Sequence, residues 1–249
     1  MSDNISNNIQ IIWEIFRVST VEGLVSSYSK EPEIALFKNS EKLQTSPVNL
    51  FGWKNLTIWK ADKINLSTRF DSANEQEIIT ELNTIFYENT DTLNRIKTTL
   101  NKFGIKFLIV EKFDQTPIDG LSFWRGENPT IVLTLRMKNI DNLAFSTLHE
   151  LAHIIQHLCK NSEKELINID GYHTDIEDEA NVYAQNALIP SAIWKAFMKS
   201  TSAISPHAIQ HRIKTLSNDN KINEAIALGL YKHEMNFYSI KTDIVRSIG

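Results

Sequence analysis

A single cysteine, Cys159, stands among the 249 residues, so no internal disulfide can form and a reducing compartment is expected. Beside an amphipathic run it reads as a packed thiol, not a nucleophile. No stretch approaches 18 consecutive apolar residues, which argues against a transmembrane helix. The opening Met1-Ser2-Asp3-Asn4 has neither the basic nor the apolar region of a signal peptide, and a cytoplasmic location is expected. Positive charge is not in excess either: the net charge of −4 gives no general attraction to nucleic acid or an anionic membrane. Residues 191–249 depart from this with eight Lys or Arg against four Asp or Glu. A solvated helical surface would look like this, and so would a face for an acidic partner; the first is the preferred reading, and direct nucleic-acid binding is not expected. Internal repeats and low-complexity segments are missing too. What remains, 42% hydrophobic and 22% charged, is ordinary globular composition with enough chain for one good core or two small domains.

Periodicity and punctuation divide the chain into three sections. Residues 1–70 open with helical spacing at Ile9, Ile12, Trp13, Ile15 and Phe16, then carry Pro32, Pro47 and Gly52, and read as a helical N-terminal section. Residues 71–190 hold helical spacing from Glu75 to Phe103 closed by Gly104, then a β-rich run from Ile105 to Val110. Two more strands follow, Leu121 to Trp124 and Thr130 to Leu135, joined by a turn around Gly126 and Pro129. The segment Ile131 to Leu135 fits either an edge strand that could pair with an extended peptide or a core strand. Residues 191–249 read as a helical C-terminal section: Ser191 to about Lys199, His207 to Leu216 after a Ser205-Pro206 cap, and a last helix from Asn218 or Asp219 to Tyr231. The fold class is therefore α+β, with a small sheet among helices.

The chemistry is concentrated in His149-Glu150-Leu151-Ala152-His153. Two His four apart lie on one face of a helix and can aim imidazole nitrogens at one ion. Apolar residues at helical spacing surround the pentapeptide, and no Pro or Gly interrupts residues 139–160. Composition alone gives about 0.014 such pentapeptides in a chain of this make-up, so coincidence is a poor explanation. Glu150, next to the first His, is placed to act on water as a general base, with zinc needing one more protein ligand and one open position. Carboxylates at 177, 178 and 179 open a second helix, Ile176 to Ile189, closed by Pro190; Glu177 is the best candidate and Glu179 an alternative. Tyr172, His173 and Tyr183 are candidate oxyanion donors by type and sequence proximity. His157 continues the stripe but lies too far along the axis to ligate the same ion, and is read as an outer partner or a surface residue.

Together these segments resemble the ImmA/IrrE zinc metallopeptidases. The likeness covers roughly Ile105 to Pro190, on Leu133-Thr134-Leu135-Arg136, Phe145 through His153, and Glu177-Asp178-Glu179-Ala180-Asn181-Val182-Tyr183-Ala184. Weaker likeness touches Pro32 to Phe37 and Ile204 to Ile209. The resemblance implies a thermolysin-like zincin core, one Zn2+ per chain and gluzincin-like endopeptidase action. The implied substrate is a helix-turn-helix transcriptional repressor, often one controlling a mobile element or a stress response and encoded nearby. It also implies Glu177 as third ligand, with Asn181 supporting a ligand His. The alternative is a regulatory protein that keeps the zinc fold and acts by binding a partner with little proteolysis.

Overall fold

The computed structural model describes residues 2–30, 46–158, 165–169, 175–201 and 205–249. Pro32 to Phe37, Cys159, Tyr172, His173 and Ile204 lie outside these described residues. The N-terminal section is helical, with α1 (Ser2–Phe16), α2 (Val21–Ser29) and α3 (Pro47–Asp62). Ser46 starts α3 by accepting from the Asn49 N–H at 3.3 Å, with Pro47 in the first turn, where its missing N–H costs nothing. The helical spacing from Glu75 to Phe103 resolves into two helices, α4 (Glu75–Glu88) and α5 (Thr92–Lys102). They are broken where Asn89 and Asp91 turn left-handed at φ 46° and 48°. Asn and Asp tolerate that conformation better than other side chains. Gly104, at φ +78°, closes α5 as expected, and a Cβ there would lie 2.5 Å from the Arg69 backbone.

Four strands follow in the spatial order β1 (Lys106–Ile109), β3 (Asn128–Leu133), β2 (Ile118–Arg125), β4 (Glu165–Ile169). β1 runs parallel to β3; β2 is antiparallel to both β3 and β4. The segment Ile131 to Leu135 is therefore not an edge: β3 is hydrogen-bonded on both sides and all six of its residues are buried. The edge next to β2 is β4. α3 covers one face of the sheet, packing Leu50, Trp53, Ile58 and Ala61 on Leu121, Phe123 and Val132. The other face, with Phe107, Ile131 and Leu133, joins the main core under α4, α5 and α6 (Ile140–Ala152). On β2 the residues between Leu121 and Phe123 and before Leu121, Ser122 and Gly120, point toward α6.

After α6 come α7 (Asp175–Leu188), α8 (Ser191–Thr201), α9 (Pro206–Asn220) and α10 (Glu224–Glu234). The Ser205 cap holds, accepting from Ala208 N–H at 3.3 Å. The last helix starts later than expected, because α9 continues to Asn220, Lys221 turns left-handed and Asn223 caps α10 through the Ala225 N–H at 2.9 Å. Residues 191–249 do not stand apart from 71–190: Trp194, Phe197, Ile213, Ile226 and Ile240 share one core with Leu82, Ile105 and Leu148. Beyond α10 the chain returns to α6, where Ile140 N–H donates to the Arg246 carbonyl at 2.8 Å and Asn139 bridges Ser247. Arg246 grips Asp141 with Nε to Oδ1 at 3.2 Å and Nη2 to Oδ2 at 2.5 Å. Asp141 is nearly enclosed, with its side chain 9% exposed against 32% for Arg246. Arg246→Ala would leave that nearly enclosed carboxylate without its guanidinium donors, and urea denaturation should show a loss of about 1–3 kcal/mol. Among the described residues no helix is long and apolar enough to cross a membrane.

Candidate metal centre

His149 and His153 point from the C-terminal end of α6 toward Glu177 in the first turn of α7, where the two helices pack side by side. A ligand atom from each of the three lies within 4.8 Å of the others, and all three residues are buried. His149 Nε2 is 3.1 Å from Glu177 Oε2, His153 Nε2 is 3.3 Å from Glu177 Oε1, and the two Nε2 atoms are 3.1 Å apart. α7 buries Glu177, Ala180, Ala184 and Leu188, one side of the helix, and the small alanines let it approach α6 closely. Asn181, one turn on from Glu177, places Oδ1 3.0 Å from His149 Nδ1. An amide oxygen only accepts, so Nδ1 donates, and Nε2 is the nitrogen that would offer its lone pair to a bound metal. Asn181→Ala should therefore weaken divalent-metal binding at this group about tenfold or more without unfolding the chain, as read by chelator competition.

Glu150, next to His149 in the chain, lies against β2 and is fully buried. Ser122 Oγ donates to its Oε2 at 2.5 Å and lies 3.1 Å from its main-chain oxygen. Gly120 is the neighbour that makes room: a Cβ there would come within 2.7 Å of Glu150 Cδ and 2.9 Å of Cγ. Oε1 is buried with no hydrogen-bond partner among the described residues, an arrangement that is costly unless something polar comes to it. Burial pushes the Glu150 carboxyl up to about 8; His149 and the Ser122 hydrogen bond pull against it, while Glu177 and Asp119 add to it. Such a carboxyl is suited to take and return a proton near neutral pH. Burial also acts on Glu177, but the hydrogen bonds to His149 and His153 outweigh it and hold that carboxylate down at about 2. Burial lowers His153; at His149 burial is outweighed by Glu177, Glu150 and Asn181, and its value rises.

The other expected site residues fall elsewhere. Glu179, the alternative ligand, has a side chain 64% exposed and meets His157 Nε2 at 3.0 Å, outside the triad. Tyr183 gives its hydroxyl to Glu75 Oε1 on α4 at 2.9 Å, and burial together with that carboxylate raises its pKa. It lies two residues, or about 200° of helix, from Asn181 and does not join the triad as an oxyanion donor. Tyr172 and His173 are outside the described residues. The sequence reading missed Ser122 and Gly120, although a Gly and a Ser alternating with Leu121 and Phe123 on a buried strand signal a close approach on that face. α6 also does not continue as an α-helix: His153–His157 is a π turn, closed by Leu158 N–H to His153 O at 2.9 Å. Compared with known proteins, the chain matches no family model, and no curated protein matches it.

Proposed function

We propose that the chain is a zinc-dependent endopeptidase with a zincin-type site, His149, His153 and Glu177 holding the metal and Glu150 acting as general base. One observation carries the reading: a buried two-imidazole, one-carboxylate triad with a second, differently perturbed carboxyl on the adjacent residue. The donor set suits zinc, because His149 has its Nδ1 engaged by Asn181 and both imidazoles turn Nε2 toward Glu177. Bound zinc supplies a Lewis acid that polarises a carbonyl oxygen and acidifies water. Ser122 anchors one oxygen of Glu150, and the other has no partner among the described residues. That free oxygen takes the proton from the attacking water and passes it to the leaving amine. Gly120 keeps the carboxylate close to β2, so its position is set by a strand and not by a loop. An extended substrate would add to β4, the sheet edge beyond β2, by main-chain hydrogen bonds.

The resemblance to ImmA/IrrE peptidases supports a helix-turn-helix repressor as substrate. Zinc-loaded protein incubated with a repressor encoded beside it should cut at one loop or helix end, and its Glu150→Gln variant should not. Cleavage of an unrelated unfolded protein at many sites would replace the specific regulator with a general peptidase. Repressor binding with no cleavage by either form would replace proteolysis with regulation by binding.

A further inference from the structure

We propose that His157 and Glu179 form a hydrogen-bonded relay that holds His153 in the tautomer able to bind the metal, an inference resting on the zinc-site reading above. His153 Nε2 faces Glu177 and His149, so as a ligand atom it carries a lone pair and the ring proton sits on Nδ1. Nδ1 lies 2.8 Å from His157 Nδ1. A donor on one side requires an acceptor on the other, which moves the His157 proton to its Nε2. That nitrogen is 3.0 Å from Glu179 Oε2, and an ionised carboxylate only accepts. Each link therefore has one direction, and the carboxylate sets it. With the His157 proton on Nδ1 instead, two N–H groups would face each other and the carboxylate would face a lone pair.

The two ligand histidines are thus supported by different chemistry. His149 leans on a neutral amide, Asn181, and His153 on a carboxylate that acts through a second imidazole. His157 is enclosed, its side chain 8% exposed, while Glu179 stands at the surface at 64%. The π turn carries His157 and lets the chain leave the helix at Leu158, whose backbone is extended at φ −107°, ψ 145°. His157 is a positioning residue and not a fourth ligand, because it meets His153 at Nδ1, across the ring from the nitrogen that faces the triad. Carboxylate partners of metal-bound histidines raise ligand basicity and fix ring orientation, and losing such a partner weakens metal binding about 10- to 100-fold.

The test measures zinc affinity by chelator competition on the full chain, with folding checked by circular dichroism. His157→Phe should weaken zinc about 10- to 100-fold. His157→Asn, whose Oδ1 takes the place of Nδ1 as acceptor, should recover most of the loss. Glu179→Gln should weaken zinc about threefold to tenfold in the wild-type background and have no effect beside His157→Phe. His153→Ala should abolish binding. Zinc affinity equal to wild type in both Glu179→Gln and a folded His157→Phe, with binding still lost in His153→Ala, would overturn the relay and leave the metal site standing. Equal losses in His157→Asn and His157→Phe would overturn it too. Should His157→Phe fail to fold, Glu179→Gln decides alone, since its side chain is at the surface. A wild-type chain that binds no zinc would instead overturn the metal site itself.

Discussion

Glu150→Gln is expected to keep zinc within about threefold of the wild type and to lower peptide hydrolysis by about 10³-fold. The side chain rests against Gly120 and Ser122 and is not one of the three groups that converge, so a neutral amide of the same shape removes none of them. What it removes is the proton acceptor. The substitution also replaces a buried carboxyl whose pKa burial has raised to about 8, so the folded chain should not be destabilised by it. Zinc stoichiometry measured beside kcat separates the two roles: parallel loss of both would make Glu150 a ligand or a structural residue instead of a base.

The second large effect is expected from Gly120→Ala. The new Cβ would lie within 2.7 Å of Glu150 Cδ, and β2 cannot retreat because β3 and β4 hold it on both sides. Glu150 in turn is fixed to α6, between its neighbours His149 and Leu151, which are both buried. The conflict is relieved only by displacing the base or opening the strand. Overpacking of this kind costs about 1–3 kcal/mol, and a base moved by an ångström loses about 10²-fold in rate. Activity should fall much further than zinc affinity. Full activity in Gly120→Ala would show that Glu150 does not work from the position beside β2.

Local pattern carried much of this arrangement. The His149 and His153 spacing, the helix around them and the three strands β1, β2 and β3 were legible because burial on one side writes a period into the sequence. The α4–α5 break was also written, as Asn89-Thr90-Asp91, but inside a long helical pattern that hid it. Non-local pairing was not legible. Nothing in Ile131 to Leu135 says that β1 and β2 will flank it, and Glu165–Ile169 becomes a strand only by pairing with β2. The Arg246 grip on Asp141 joins residues 105 apart, so no local pattern shows that side chains of residues 191–249 complete the core. At the site, the ligand types and spacing could be read ahead, and so could a carboxylate from the second helix. Which side of α7 faces α6 decides between Glu177 and Glu179, and with Ala180 and Ala184 buried it is Glu177 that meets the two histidines. The path from His153 through His157 to Glu179 depends on a π turn that has no sequence signature of its own.

The most direct measurement is zinc content and affinity of the purified full chain beside His149→Ala, His153→Ala, Glu177→Ala and Glu179→Ala. One zinc per wild-type chain is expected. Each of the first three substitutions should abolish that binding in a chain that remains folded by circular dichroism, and Glu179→Ala should only weaken it. Full zinc in Glu177→Ala together with loss in Glu179→Ala, or zinc retained when both histidines are removed, would contradict a metal centre built from His149, His153 and Glu177.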